Sequence, residues 1–241
     1  EIVLLTDADC VPATEFWIHA MQDEYDEGAE IVLGYGSYYK RPGLLNKLIR
    51  FETFHSALQY LSYALAGLPY MGVGRNLSYK KALFFNNKGF SSINHIPGGD
   101  DDLFINKVAT KTNTRIAIGA DAITLSEPKK TLGNWIRQKN RHYSSARYYK
   151  AGHKLFLGLY NLSFFFFYPL FIASLVVFDW RLVLVVFALR FISQALIYYK
   201  VMQKLNEKDL FAWWWMLDLW MFIYYLMFAP AIWKKPRNTW N

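Results

Sequence analysis

The sequence predicts an α/β region followed by an α-helical transmembrane region, and three observations carry that prediction. The chain opens on the apolar run Ile2-Val3-Leu4-Leu5, which leads straight into Thr6-Asp7-Ala8-Asp9. A run of this length reads as a strand buried on both faces, and open α/β sheets bind ligands at the carboxyl ends of such strands. Through residue 130, short apolar runs alternate with stretches of helical periodicity. The apolar residues then crowd into the last third: Leu155 to Phe178 has no charge, Leu182 to Met202 has only Arg190 and Lys200, and Leu210 to Trp233 has only Asp218. The chain is 54% hydrophobic yet its mean hydropathy is only +0.06, so the segregation is strong. Each segment is long enough to span, because roughly 20 apolar residues cross a ~30 Å hydrocarbon core. The expected organisation is an α/β domain over 1–130, a basic amphipathic interface helix over 131–154, and about three spans with a basic tail over 155–241.

In the first element Asp7 and Asp9 stand two apart, and on an extended segment such residues point the same way. Both can then address one site, as two ligands of a hard cation such as Mg²⁺ or Mn²⁺, or as one metal ligand and one sugar contact. A plain surface turn also uses Asp. A helix is expected from Thr14 to Glu27 and a strand over Ile31-Val32-Leu33-Gly34. The next helix, Leu44 to Ala66, carries an apolar stripe of Leu44, Leu48, Phe51, Phe54, Leu58, Leu61 and Leu65, with Lys47, Arg50 and His55 off it. It either packs on the sheet or lies in the membrane interface. Gly67 and Pro69 end it, and Gly72 to Tyr79 forms a loop running into a new element. There Arg75 suits a phosphate and Asn76 a sugar hydroxyl.

A second acidic group, Asp100-Asp101-Asp102, follows Pro97-Gly98-Gly99 and precedes Leu103, Phe104, Ile105 and Val108, the apolar face of a helix. The helix dipole stabilises acids at that end, with one Asp as the N-cap. Adjacent carboxylates also repel, so one can acquire a raised pKa and act as a general base. Strands at Thr114 to Ile118 and Ala122 to Leu125 precede a basic, aromatic helix from Thr131 to Lys150. On it Gln138 and Arg141 share a face. Arg141 can grip a diphosphate with both arms of its guanidinium, and Trp135 or a tyrosine offers a flat surface to a sugar ring.

The net charge is +8 with a pI near 9.4, and much of the excess is local, at Arg137, Lys139, Arg141, Arg147, Lys150 and Lys154. Basic residues just before a span mark the cytoplasmic side and attract anionic headgroups. Nucleic acid is not an expected partner, because no nucleic-acid motif accompanies the patch. The single Cys10 forbids an internal disulfide, in keeping with a reducing compartment, and is expected to be buried packing. Arg190 and Asp218 are expected to pair inside the membrane. Three full spans would carry Lys234, Lys235 and Arg237 away from the cytoplasm, against the positive-inside rule, unless one segment is re-entrant or lies in the interface. Beginning without Met and directly in a strand, the chain reads as a fragment whose base-recognising βα units precede Glu1.

Taken in order, Asp7-Ala8-Asp9, Gly74-Arg75-Asn76, Gly98-Gly99-Asp100-Asp101-Asp102, Gln138-Lys139-Asn140-Arg141 and the spans resemble the membrane-embedded branch of glycosyltransferase family two, over essentially the whole chain. That family includes cellulose, hyaluronan and poly-N-acetylglucosamine synthases and ceramide glucosyltransferase. The resemblance implies an α/β fold that is the C-terminal part of a Rossmann-like, A-type nucleotide-sugar domain, followed by the transmembrane region. It implies inverting, metal-dependent transfer of a hexosyl or N-acetylhexosaminyl group from a nucleotide-sugar donor to a glycan or lipid acceptor, at the cytoplasmic face of a bacterial inner membrane. It further implies that Asp7 contacts the nucleotide sugar and Asp9 coordinates Mg²⁺ or Mn²⁺. Asp100 matches the catalytic base, with Asp101 the neighbouring candidate. Gln138 and Arg141 match the Gln-x-x-Arg-Trp motif, and Arg75 and Asn76 stand with them as substrate contacts. Two positions depart from the family pattern: Gly99 replaces the Glu of many polymer synthases, and His142 replaces their Trp. Two other classes fit parts of the chain, a non-enzymatic membrane transporter or anchor and a metal-dependent lipid phosphotransferase. The transporter fits poorly, since the acidic clusters precede every span.

Overall fold

The structure is a computed structural model and describes residues 1–26, 28–96, 98–143, 145–228 and 230. An N-terminal mixed α/β region with two small mixed sheets is followed by three long apolar helices. In the first sheet β1 (Ile2–Leu5), β5 (Leu77–Lys80), β3 (Ile31–Leu33) and β6 (Thr114–Ile116) lie in that order. β5 runs antiparallel to both neighbours, with Val3 opposite Tyr79, and β3 pairs with β6 in parallel. The second sheet orders β2 (Cys10–Pro12), β7 (Ile123–Ser126) and β4 (Tyr35–Tyr38), with β7 antiparallel to β2 and parallel to β4. Only Gly34 separates β3 from β4. A Cβ there would lie 2.4 Å from the Asn76 side chain, so the passage from one sheet to the other requires glycine.

The opening strand forms where expected but is not buried on both faces. β1 is an edge strand: Val3 and Leu5 pack on the main core and Leu4 on a smaller one around Trp17, Met21 and Val32, while Ile2 stays exposed. Full burial belongs to β3, which has a strand on either side. The helix expected from Thr14 is shorter, α1 (Trp17–Gln22), followed by a 3-10 turn at Asp23–Tyr25. Thr14 holds a turn instead, its hydroxyl donating to Asp121 at 2.9 Å and accepting from the Phe16 amide at 3.3 Å. Glu27 lies outside the described residues.

The helix α2 (Leu44–Leu65) packs on β4 and β6 on one side and on the last apolar helix on another. Its burial is therefore not confined to the apolar stripe. Leu44 and Leu65 are exposed, whereas Arg50, Glu52 and His55 are buried. Short elements α3 (Lys81–Asn86) and α4 (Asp100–Val108) follow, and α5 (Leu132–Tyr143) stops well before Lys150. Ser145–Tyr148 instead form a 3-10 turn.

The three apolar helices are α6 (Ala151–Val177), α7 (Trp180–Lys204) and α8 (Trp214–Phe228), the last entered through a 3-10 turn at Lys208–Trp213. α6, α7 and the continuous segment Lys208–Phe228 are each long and apolar enough to cross a membrane, which suggests a membrane protein. Lys234, Lys235 and Arg237 lie outside the described residues. Arg190 and Asp218 pair, 3.6 Å apart, and Tyr168, Gln194 and Tyr198 also donate to the Asp218 carboxylate at 2.7, 2.5 and 3.3 Å. A buried anion so surrounded has its lost hydration replaced by hydrogen bonds.

Buried ion pairs join the two regions. Glu207, between α7 and α8, accepts from Tyr35 at 3.0 Å, Ser37 at 2.5 Å and Arg50 Nε at 2.9 Å. Arg50 also donates to both Asp209 oxygens, at 2.8 and 2.7 Å. Burial raises the Glu207 carboxyl and the Arg50 guanidinium opposes that rise. On the same helix, Glu52 pairs with Lys139 of α5 and accepts from Tyr224 of α8 at 3.0 Å.

Candidate active site

β1 ends in a tight turn in which the Cys10 amide donates to the Asp7 carbonyl at 3.0 Å. This turn, rather than alternation along an extended strand, gathers the side chains. The ligand atoms of Asp7, Asp9 and Cys10 all lie within 4.8 Å of one another, with both carboxylates exposed and the thiol half-buried. Cys10 is thus part of the acidic group and not core packing. Two carboxylates are hard donors suited to Mg²⁺ or Mn²⁺, while the thiol is softer.

Arg75 stands behind this turn, held by hydrogen bonds to the Ser126 hydroxyl at 3.0 Å and the Gly36 carbonyl at 2.8 Å, with its guanidinium 4.5 Å from the Tyr38 ring centre. The Asp7 carboxyl is raised, first by partial burial. Arg75 and Arg141 act against that rise, and the charges of Asp9 and Asp100 add to it. Groups from four separate parts of the chain therefore share one electrostatic neighbourhood around Asp7.

Asn76 is a different case from its neighbour. It is fully buried; its amide donates to the carbonyls of Tyr35 at 2.9 Å and Ala122 at 2.6 Å, and its oxygen accepts from the Trp17 indole at 3.1 Å. The expected sugar contact is corrected: the side chain clamps β4, α1 and the β7 lead-in, and presents nothing to a ligand.

The three consecutive acids of α4 face three directions, as residues about 100° apart on a helix must. Asp100 is exposed and its side chain makes no hydrogen bond or ion pair among the described residues. Asp101 accepts from the Gly74 amide and so fixes the loop that carries Arg75; burial raises its carboxyl and that bond opposes the rise. Asp102 is buried, accepting from Ser145 at 2.9 Å and Tyr149 at 2.8 Å, while its other oxygen has no partner among the described residues. Burial first, and then the Asp101 charge, push its carboxyl up to about 8. The N-cap is Gly99, not an Asp, with φ at 76°. A Cβ there would sit 2.5 Å from that of Ser145, so the Glu of the polymer synthases cannot fit without moving the segment that leads into α6.

On α5, Trp135 is fully buried against Tyr224 and Phe228, with ring centres 5.6 and 6.2 Å away. It cannot be the sugar platform the sequence offered; its indole anchors α5 to α8. Gln138 is half-buried, its side-chain oxygen without a partner among the described residues, and Arg141 is exposed, with its charge felt at Asp7. His142 is exposed on the same helix, and the protein around it first, then the charges of Lys139, Arg141, Arg75 and Lys129, lower its imidazole. The structure thus brings Asp7, Asp9, Asp100, Arg75 and Arg141 together and turns Asp101 and Asn76 to internal bonding. The roles of Ser145, Tyr149 and Tyr38 had no signal in the sequence, because each depends on a partner far away in the chain. Compared with known proteins, the chain matches no family model and no curated protein.

Proposed function

We propose that this chain carries the catalytic centre of an inverting glycosyltransferase that moves a sugar from a nucleotide diphosphate sugar to a glycan or lipid acceptor at the cytoplasmic membrane face. On this reading the α/β region is the C-terminal part of a Rossmann-like, A-type nucleotide-sugar domain. The observation that supports it most is the gathering of Asp7, Asp9, Asp100, Arg75 and Arg141 around one exposed position at the end of β1. Three acids beside two guanidiniums, that of Arg75 held by Ser126 and Gly36, suit a sugar diphosphate, which needs cations for its phosphates and a carboxylate for an incoming hydroxyl.

Asp100 is the acid left open, so it takes the proton of the acceptor hydroxyl. The hydroxyl oxygen forms its bond to the anomeric carbon as the bond to the diphosphate oxygen breaks on the opposite face, which inverts the configuration. Arg141 and Arg75 stabilise the charge that grows on the departing diphosphate. The donor set fits a hard divalent cation: Asp9, with Asp7 beside it, would hold Mg²⁺ or Mn²⁺, which supplies further charge neutralisation there. Asp101 and Asp102 set the positions of the Arg75 loop and of the segment entering α6. An ion-transport reading gains nothing from the intramembrane charges, since Arg190 and Asp218 are paired with each other.

The deciding experiment incubates membranes holding the full-length protein with labelled nucleotide sugars and Mg²⁺ or Mn²⁺. Labelled sugar in a lipid or glycan product supports the proposal. Label transferred from the phosphate instead, or no transfer across a complete donor panel, rejects it.

A further inference from the structure

Between α6 and α7, next to Leu58 of α2, lies a cleft of about 400 Å³ that the chemistry above does not use. Toward the turn that joins the two helices it is closed by aromatic rings, the Phe187 ring centre lying 6.0 Å from that of Phe167 and 4.5 Å from that of Phe171. Its other end is tied to α2. There the Tyr160 hydroxyl lies 3.0 Å from His55 Nε2, and the Tyr198 ring centre 5.5 Å from that of Phe54. Ser163, Ser193 and Ile197 line the cleft and are exposed, so it opens sideways. Where α6 and α7 cross a membrane, that opening faces hydrocarbon.

The lining is more polar than such a place requires. Arg190 stands about 15 Å from the start of α7 and about 21 Å from its end, at ~1.5 Å per residue, which is near the middle of the span. Its guanidinium is 3.6 Å from Asp218, too far for a hydrogen bond, and 3.7 Å from the centre of the Phe167 ring. Asp218 already accepts from Tyr168, Gln194 and Tyr198, so the pair cancels charge while the guanidinium carries more N–H groups than that carboxylate uses. Gln194 gives its amide N–H to Asp218, and its side-chain oxygen is buried with no partner among the described residues. The Ser163 and Ser193 hydroxyls donate to the carbonyls of Tyr160 and Arg190 at 2.8 and 2.9 Å, which leaves their oxygens as acceptors. The cleft therefore offers donors from one cation and acceptors from three neutral side chains.

We propose that this cleft binds a neutral membrane lipid with a free hydroxyl beside an ester carbonyl, as in a diacylglycerol. The hydroxyl donates to the Gln194 oxygen, the carbonyl accepts from Arg190, and an acyl chain lies along Leu58, Phe164, Phe167 and Ile197. Polar groups left unpaired in hydrocarbon are costly, and such a ligand pairs them. An apolar cleft with a few placed polar groups is also the usual form of a small-molecule site. A phosphate headgroup fits badly: the Arg190–Asp218 pair is already neutral, so a further charge at this depth would lose its hydration without gaining a counter-ion. No residue of the cleft belongs to the candidate active site, and Ser163 stands about 18 Å along α6 from Ala151. The inference is therefore independent of the enzymatic proposal.

The test irradiates the full-length protein in detergent with a diacylglycerol that carries a photoreactive diazirine in one acyl chain, and maps the adducts by peptide mass spectrometry. Adducts are expected on the cleft walls, lowered by excess unlabelled diacylglycerol and not by phosphatidylglycerol. Ser193→Phe, which fills the opening, should reduce them by about ten-fold or more, which is what losing one hydrogen bond to a charged group already costs. Ser163→Phe should do the same from the facing wall. Both serines are exposed, so neither change disturbs a packed core, and Leu189→Phe, exposed on α7 outside the cleft, should label like the native protein. Adducts spread evenly over the outer faces of α6 and α7, or unchanged by both fillings, reduce the occupant to bulk lipid and overturn the proposal. Equal competition by phosphatidylglycerol overturns the choice of a neutral lipid. Crosslinks from the cleft to a second copy of the chain would place protein there instead, and reject it.

Discussion

The acids of this protein fall into two populations. Asp7, Asp9 and Asp100 are exposed, and the charges of Asp9 and Asp100 are both felt at Asp7, whereas Glu52, Asp102, Glu207 and Asp218 are buried and each is gripped by groups from other elements. The buried acids gain hydrogen bonds that offset desolvation, and they join α2, the sheets and the apolar helices. The exposed acids make no such internal bonds apart from those of the turn after β1, and Arg75 and Arg141 act on Asp7 against the charges of Asp9 and Asp100. The difference separates acids that hold the fold together from acids that face solvent, and on the proposed function the exposed group is the one that meets substrate.

The largest expected effect that sharpens this contrast is on turnover. Asp100→Asn is expected to lower sugar transfer by ~10² to 10⁴-fold, the usual contribution of a positioned general base, while donor binding and thermal stability stay near those of the native protein. Steady-state kinetics beside a melting curve would show it, and normal turnover would move Asp100 out of the first group.

Next comes the opposite pattern at the buried acids. Arg50→Met leaves Glu207 buried without its cation and is expected to cost about 3–5 kcal/mol of stability, measured by denaturant unfolding in detergent. A loss under 1 kcal/mol would break the contrast.

Asn76→Ala is expected to cost roughly 1–3 kcal/mol, since it leaves buried groups of Tyr35, Ala122 and Trp17 without partners. The melting temperature should fall with the donor KM unchanged; a raised KM at native stability would return Asn76 to the ligand site.

The subtlest test is pH. The Asp102 carboxyl, at about 8 when folded and 3.8 when free, binds more protons in the folded than in the unfolded state between those values. Its contribution to stability is therefore fullest below about pH 4 and is lost as pH rises toward about 8. Asp100 and Asp101 on its own helix and Tyr149 opposite it are the ionisable groups around it. Asp102→Asn should flatten the pH dependence of unfolding over that window, and an unchanged slope would show that Asp102 is not held protonated.

The acidic mouth was legible in the residues themselves, because Asp7, Asp9 and Asp100 follow short runs whose ends are easily placed. Asn76 and Trp135 misled, since an amide after glycine and a tryptophan in a basic helix look alike whether they face a ligand or the core. Their partners, Trp17 and Tyr35 for one and Tyr224 and Phe228 for the other, lie dozens of residues away.

By itself the sequence determined that an α/β region precedes three apolar helices, that Arg190 would need Asp218, and that carboxylates end the first strand. Local runs of apolar residues and the energetic demands of charge in hydrocarbon suffice for these. Only the tertiary structure decided which acid of Asp100-Asp101-Asp102 stays open, that a turn rather than a strand gathers Asp7, Asp9 and Cys10, and that Lys139 and Tyr224 reach Glu52. These outcomes depend on which distant groups reach a side chain first, and local composition holds no record of that competition.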